Sequence, residues 1–471
     1  MFGNTGRGLG NGQSPMGAVP AAVDTDHQPP MTIPLRHFVV GLGLLLVGLL
    51  VAVGVALDAT GGYAVLSHVH LLLAGWVCLT IMGAMTQFVP VWSGTELHSR
   101  RLASVELWLV TVGLVGFAGS LLGGYVAWIP AFGGVMLLGF WAFVYNMGRT
   151  LASVSSYDVT ERHFGIALGF FLLVSTLGVL LAAGFVRPVF AGSPIGRADV
   201  LGAHATLAVF GAVLTTVLGA LYQLATMFTQ TDLHGIDLHL RRVEEVAYPS
   251  GVLLLALGRL LDAATVARVG GLLVVGSLLG FAVILVRRLH ETRVEWTPML
   301  SRYAVVVPAL TLWGLLTLPA WLGDPLAASA LFGAPGTVHL LVLGVIGFVV
   351  LGTLYHVVPF IVWVDRYSDL LGYEAVPMID DLYDDRIAAL DFLLLGGGTA
   401  VLVAADLLAL PRAATAVGGG LVFVGGLCFV ANILQVIRAH SPHSIPGVLL
   451  DTLRTDSDPA HEDAVDPVES R

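Results

Sequence analysis

Apolar residues run along this chain in about twelve blocks, separated by short stretches that carry most of its charge. Each block is near the ~20 residues that a helix needs to cross a bilayer. The pattern predicts spans at roughly 36–57, 64–91, 103–122, 126–148, 163–186, 198–228, 246–262, 266–288, 302–321, 333–363, 387–409 and 415–438. The sixth and tenth are the longest and are expected to tilt or project from the membrane. Ahead of them, residues 1 to about 33 are rich in Gly, Pro, Asn and Ser and predict a disordered tail. This segment lacks the basic start and apolar core of a signal peptide. Residues 441–471 predict a C-terminal tail, acidic and solvated after about 450.

Composition strengthens this picture. Of 471 residues 56% are hydrophobic and 11% charged, outside the range of soluble domains. The fold class is therefore an all-α polytopic membrane protein of about twelve transmembrane helices, with the lipid bilayer as its first partner. A net charge of −10 gives no reason to expect nucleic acid. The chain has no lysine, so its 22 basic residues are all arginine. Seventeen fall in the N-tail, the loops after even-numbered spans and the C-tail. The other five are Arg187, Arg197, Arg259, Arg268 and Arg412. The positive-inside rule then predicts a multi-pass protein of the cell membrane with both termini cytoplasmic. Cys78 and Cys428 sit in apolar runs without a CxxC or CxxCH pattern, which excludes a covalent haem attachment motif.

The spans repeat in fours. Spans two and ten align without gaps, His70, Gly83, Gln87 and Pro90 matching His339, Gly352, His356 and Pro359. Span six joins through Gly219 and Gln223, which sets His204 opposite His68. Arg36-His37-Phe38, Arg162-His163-Phe164 and Arg302-Tyr303 open spans one, five and nine. Gly133-Gly134, Gly270-Gly271 and Gly419-Gly420 start spans four, eight and twelve. The expectation is three pseudo-repeated four-helix arcs, at roughly 34–150, 160–290 and 300–440, within a membrane domain of 34–440.

Histidine placement suggests chemistry. His37, His98, His163, His234, His239, His290, His440 and His443 fall at span ends or in loops and read as interfacial or solvated. His68, His70, His204 and His339 lie near the outer starts of spans two, six and ten, and an ionisable residue inside a span marks a functional site by default. Two imidazoles on facing helices can clamp a haem iron. Residues i and i+2 of a helix point ~200° apart, so His68 and His70 cannot serve one iron together. His70 and His339, equivalent in the repeat, are the expected axial pair. His68 and His204 are the expected ligands of a second haem or a metal. His356, with Gln87 and Gln223, reads as an inner polar layer.

Twelve spans in three arcs, with histidines on the second, sixth and tenth, resemble subunit I of the haem-copper oxidase superfamily, which includes the nitric oxide reductases. His68-Val69-His70…Val89-Pro90-Val91-Trp92-Ser93-Gly94 is similar to the HxH…VPxWxG pattern of the NnrS family, a haem-containing relative of that subunit. The resemblance implies haem ligation by His70 and His339, and a propionate contact for Arg412 in the loop before the last span. The chain departs from the oxidases on span seven, EEVAYPSGVLLLALGRLL, which has no histidine where they hold copper, and position 208 is Ala. An oxidase-type copper centre is thus not expected. The reading is a membrane protein with one non-covalent b-type haem and a candidate second. It would transfer electrons or handle nitric oxide or oxygen, with an electron donor or partner subunit that the sequence does not name. A true terminal oxidase or nitric oxide reductase subunit, and so an oxidoreductase, is one alternative. A cofactor-free transporter with a histidine-lined path is another.

Overall fold

A computed structural model describes residues 28–450, so most of the expected N-terminal tail and the acidic stretch 451–471 lie outside the described residues. Twelve long helices follow in order: α1 Thr32–Ala56, α2 Ala64–Ser93, α3 Arg100–Gly123, α4 Ile129–Leu151, α5 Val159–Ala183, α6 Arg197–Thr229, α7 Ile236–Leu260, α8 Ala264–His290, α9 Pro298–Gly323, α10 Val338–Leu370, α11 Asp385–Leu407 and α12 Arg412–His440. A short α13, Ile445–Leu450, closes the described chain. No strand occurs among the described residues. The protein is an all-α polytopic membrane protein, with eleven helices among the described residues long and apolar enough to cross a membrane. The exception is α7, which reaches ten residues further back than the predicted span. Its first turns carry Arg241, Arg242, Glu244 and Glu245.

Helical structure reaches into both predicted tails. Helix α1 already starts at Thr32, with Met31 and Ile33 buried. Val448 of α13 is fully buried, and its carbonyl accepts a hydrogen bond from Arg36 Nε at 2.8 Å. That bond joins the first and last helices at one end of the bundle, here called the terminal end. Four helices that start there are capped by side chains: Ser99 on Leu102 N–H, Asp158 in a capping box with Glu161, Thr297 on Leu300 N–H and Asp384 on Ile387 N–H. Such caps satisfy amide groups that a helix leaves unpaired at its start.

Nine helices form a closed outer ring. Each packs on the next in the order α1, α3, α4, α5, α7, α8, α9, α11, α12, and α12 returns to α1. Helices α2, α6 and α10 stand inside it. The most apolar stretches of α6 and α10 are 89% and 78% buried, against 28% for α4 and 33% for α5, which face lipid on one side. The three inner helices meet around a small cavity of about 70 Å³ lined by Ile81, Met85, Val217, Leu224, Val349 and Val350.

Glycine lets backbones approach closely in this bundle, as is usual between membrane helices. A Cβ on Gly258 of α7 would lie 2.4 Å from Ala267 N of α8, and one on Gly270 of α8 would lie 2.3 Å from Leu255 N of α7. No side-chain rearrangement can relieve a clash with backbone. Gly258→Leu is expected to force α7 and α8 apart and cost at least the ~1–3 kcal/mol of ordinary overpacking. A lower melting temperature in detergent is the check; an unchanged one would contradict the close crossing.

Candidate functional site

Each inner helix carries one π-helical segment just past its histidines: Leu71–Val77 in α2, Leu207–Val213 in α6 and Val342–Gly347 in α10. Such bulges are frequent at functional sites. Here they fall in the half of the bundle away from the terminal end, the far end.

A cavity there has a volume of about 420 Å³ and lies among α1, α2, α10, α11 and α12. Its wall is apolar, built from Leu49, Val55, Leu72, Trp76, Val342, Leu402 and Val422 among others, and His68 and His339 both stand on it. His70 does not line it. The expected pairing of His70 with His339 is therefore corrected. His68 shares the cavity with His339, while the His70 ring lies beside that of His204, with centroids 6.5 Å apart and planes 18° from parallel. His68 and His70, two positions apart on α2, point to different sides of that helix, so each meets a different neighbour. His68 meets His339 between α2 and α10, and His204 meets His70 between α2 and α6. Thr206, two positions past His204 on α6, is held from α7. Arg259 Nη1 donates to Thr206 Oγ1 at 2.7 Å and its Nε to Pro325 O at 3.1 Å, and Phe210, Trp313 and Trp321 pack edge-on and tilted around it.

The rings are held in a common way. Nδ1 of His68 lies 3.0 Å from Gly48 O of α1, and Nδ1 of His204 lies 3.0 Å from Val174 O of α5. Nδ1 of His70 bonds to Leu66 O, one turn earlier on its own helix, at 2.8 Å. Nδ1 of His339 meets a carboxylate instead, Asp406 Oδ2 of α11 at 2.5 Å. In all four the Nδ1 partner is an acceptor. This fixes the proton on Nδ1 and leaves the Nε2 lone pair free, the arrangement usual in metal-binding histidines.

Arg412 sits at the start of α12, one turn before the cavity-lining Thr415. Its Nη1 pairs with Asp58 Oδ2 at 3.0 Å, and its Nη2 donates to Val55 O at 3.2 Å. Both partners belong to the rim of the cavity or the turn beside it. His356 does not join a polar layer: its ring packs on Phe228 at 4.2 Å, and both amide atoms of Gln87 are buried without a hydrogen bond.

Other polar groups cluster at the terminal end, once per arc. His37 and His163 are not interfacial, as the sequence suggested, but buried. Gly83, Gly219 and Gly352 of the inner helices lie against His37, His163 and Arg302 of α1, α5 and α9. In the second arc, His163 Nε2 reaches Glu244 Oε1 at 3.1 Å, and Tyr222 donates to Glu244 Oε2 at 2.9 Å. In the third, Arg302 and Tyr355 both donate to Asp391, and Asn432 Nδ2 donates to Tyr355 Oη at 3.1 Å. In the first, Thr86 stands where the tyrosines stand, and His37 Nε2 and Glu106 Oε1 have no partner. The closed clusters tie an inner helix to two outer ones in the second arc and to three in the third, and read as structural.

Asp406 and the three buried acids escaped the sequence reading. Their signal was available, since Glu106, Glu244, Asp391 and Asp406 are all acids inside helices. Among the described residues, no group of three or more His, Cys, Asp or Glu side chains could hold a metal ion. No protein-family model matches the chain.

Proposed function

We propose that this chain is a membrane haem protein holding one non-covalent b-type haem between His68 and His339, with electron transfer as its main task. The observation that supports this best is the cavity of about 420 Å³ with two imidazoles on its wall, each anchored through Nδ1. The chemistry of the donor set fits haem. Two neutral nitrogen ligands suffice because the macrocycle itself supplies the other four, and the wall is apolar as a tetrapyrrole requires. Haem iron would supply one-electron chemistry, and ligation by two histidines saturates it, which favours electron transfer over capture of nitric oxide or oxygen. Arg412 at the rim would offer its guanidinium to a propionate, in exchange for or beside Asp58.

This reading keeps the resemblance to the oxidase subunit I and NnrS families and changes the ligand pair. The arginine asymmetry supports a cytoplasmic terminal end, which puts the haem near the outer face. The oxidase or reductase alternative would need a metal held by three or more side chains, an arrangement not met among the described residues. The transporter alternative leaves unexplained why all four Nδ1 atoms are tied back and all four Nε2 atoms kept free.

A visible absorption spectrum of the purified protein is the test. A Soret band at about one haem per chain is expected; its absence from protein produced with ample haem would overturn the proposal. A second measurement concerns Asp406. Its carboxylate strengthens His339 as a donor and so favours the oxidised iron. Asp406→Asn is expected to raise the reduction potential in a redox titration, and an unchanged or lowered potential would remove that role.

A further inference from the structure

The first arc's cluster at the terminal end stays open where the other two are closed, although its residues stand in matching places. Close crossings between outer helices fix the register. A Cβ on Gly113 of α3 would lie 2.4 Å from Met136 N of α4, one on Gly251 of α7 would lie 3.0 Å from Val274 N of α8, and one on Gly398 of α11 would lie 2.8 Å from Val422 N of α12. Seven residues before these glycines stand Glu106, Glu244 and Asp391. The crossings at Gly83, Gly219 and Gly352 likewise match His37 with His163 and Arg302, and three residues further on they match Thr86 with Tyr222 and Tyr355. His37 and Glu106 thus occupy the places of two bonded pairs, His163 with Glu244 and Arg302 with Asp391. In both of those pairs a tyrosine also donates to the acid, and in the first arc threonine stands in its place.

We propose that a water molecule bound in place of that hydroxyl joins His37 Nε2 to Glu106 Oε1, and that this site holds one exchangeable proton. His37 and Glu106 are 1% and 0% exposed. His37 Nδ1 lies 2.9 Å from Ile33 O, which puts the ring proton there and leaves Nε2 an acceptor. Asn146 Nδ2 approaches Glu106 Oε2 at 3.5 Å, while Oε1 has no partner among the described residues. Buried polar atoms are rarely left without a bond, and water supplies what both of these need. Thr86 Oγ1, whose own proton goes to Met82 O at 2.7 Å, gives the water a third partner, the usual number for a buried one. Gln87, one turn past Gly83 on the same face of α2, has both amide atoms buried and unbonded, and extends the polar site toward the terminal end.

The proton follows from charge. Among the described residues no cation pairs with Glu106, whereas Glu244 has His163 and Asp391 has Arg302. Arg36 of α1 gives its Nε to Val448 O and its Nη1 to Ser104 Oγ, and α2 and α4 bring the uncharged Thr86, Gln87 and Asn146. A buried carboxylate without a cation is far costlier than the neutral acid, so Glu106 carries the proton. Its O–H donates to the water, and the water donates to His37 Nε2. Transfer along this line breaks the Glu106 O–H bond and one water O–H bond, and forms a new O–H bond on the water and an N–H bond at Nε2. A carboxylate and an imidazolium result, with the water restored between them. Glu106 lies six residues into α3, roughly 9 Å along its axis, which brings the site close to the terminal end. The cavity with His68 and His339 is in the other half of the bundle, so the proton site stands whether or not a haem is bound there.

Infrared spectroscopy of the purified full chain tests the proton. The wild type at neutral pH should show the C=O stretch of a protonated carboxyl, shifted in heavy water. Glu106→Gln should lose that band, and Glu106→Asp should keep it at a changed frequency. Identical carboxyl bands in the wild type and Glu106→Gln, or a band untouched by heavy water, would overturn the proton site. A high-resolution density map of the wild type tests the water, and it decides alone if a variant fails to fold. One solvent peak within hydrogen-bond distance of both His37 Nε2 and Glu106 Oε1 is expected; side chains packed into that space, or a direct bond between the two atoms, would overturn the proposal.

Discussion

Purified His68→Ala and His339→Ala should each lose the low-spin haem spectrum, whereas His70→Ala should keep it. The expectation follows from which face of α2 each ring occupies. His68 stands on the wall of the 420 Å³ cavity, and His70 points toward Phe117 and His204 on the other side. Removing the group that hydrogen-bonds to a metal ligand costs roughly 10–100-fold in affinity, so removal of a ligand itself should cost more. His68→Ala also removes the imidazole that donates to Gly48 O. Haem content per chain and the position of the Soret band are the measurements. Taken as a map of contacts, as in the expected axial pair, the repeat makes His70 and His339 the sensitive residues. A His70→Ala protein without haem beside an intact His68→Ala would restore that pairing and sink the present one.

That contrast shows how far the sequence could be read. The number and placement of the long helices were legible because a bilayer imposes one length on every span, and most helix bounds lie within a few residues of the apolar runs. The matched glycines were legible because close packing fixes residue type: a Cβ at 83 or 219 would lie 2.7 or 2.5 Å from the Cβ of His37 or His163, and one at 352 would lie 3.1 Å from that of Arg302. The four inner histidines were legible because charge-capable groups are rare in spans. The pairing was not, because which neighbouring helix each side of α2 meets is a three-dimensional relation that equivalence in sequence does not carry. Helix α7 was cut short in the sequence reading because its first turns are polar: Asp237 of that stretch is paired with Arg287 and Arg288 of α8, so burial there is compensated by contacts outside the local sequence. His163 looked interfacial for the same reason, its partner Glu244 lying 81 positions away.

Asp391→Ala is expected to be among the most destabilising single changes in the chain. The side chains of Arg302 and Asp391 are 1% and 0% exposed and form an ion pair to which Tyr355 adds its hydroxyl. Arg302 has other acceptors, Pro298 O at 2.8 Å and Ala388 O at 3.1 Å, but both are uncharged carbonyls. Removing the carboxylate therefore strands a buried guanidinium and a buried phenol together. Breaking a buried pair in this way costs ~3–5 kcal/mol, more than the pair itself contributes, because the surviving charge keeps its desolvation penalty. The paired change Arg302→Met with Asp391→Leu removes both charges and should recover most of the loss. The guanidinium also lies 4.4 Å from the Tyr355 ring, a contact the double variant gives up, so full recovery is not expected. Melting temperatures of the three proteins in detergent, with haem content measured alongside, separate the outcomes. If the double variant is no more stable than Asp391→Ala, the cluster contributes through its hydrogen bonds to Asn432 and Asp384 rather than through charge balance. A large fall in melting temperature with haem still bound would place these clusters on the structural side, distinct from the histidines at the far end.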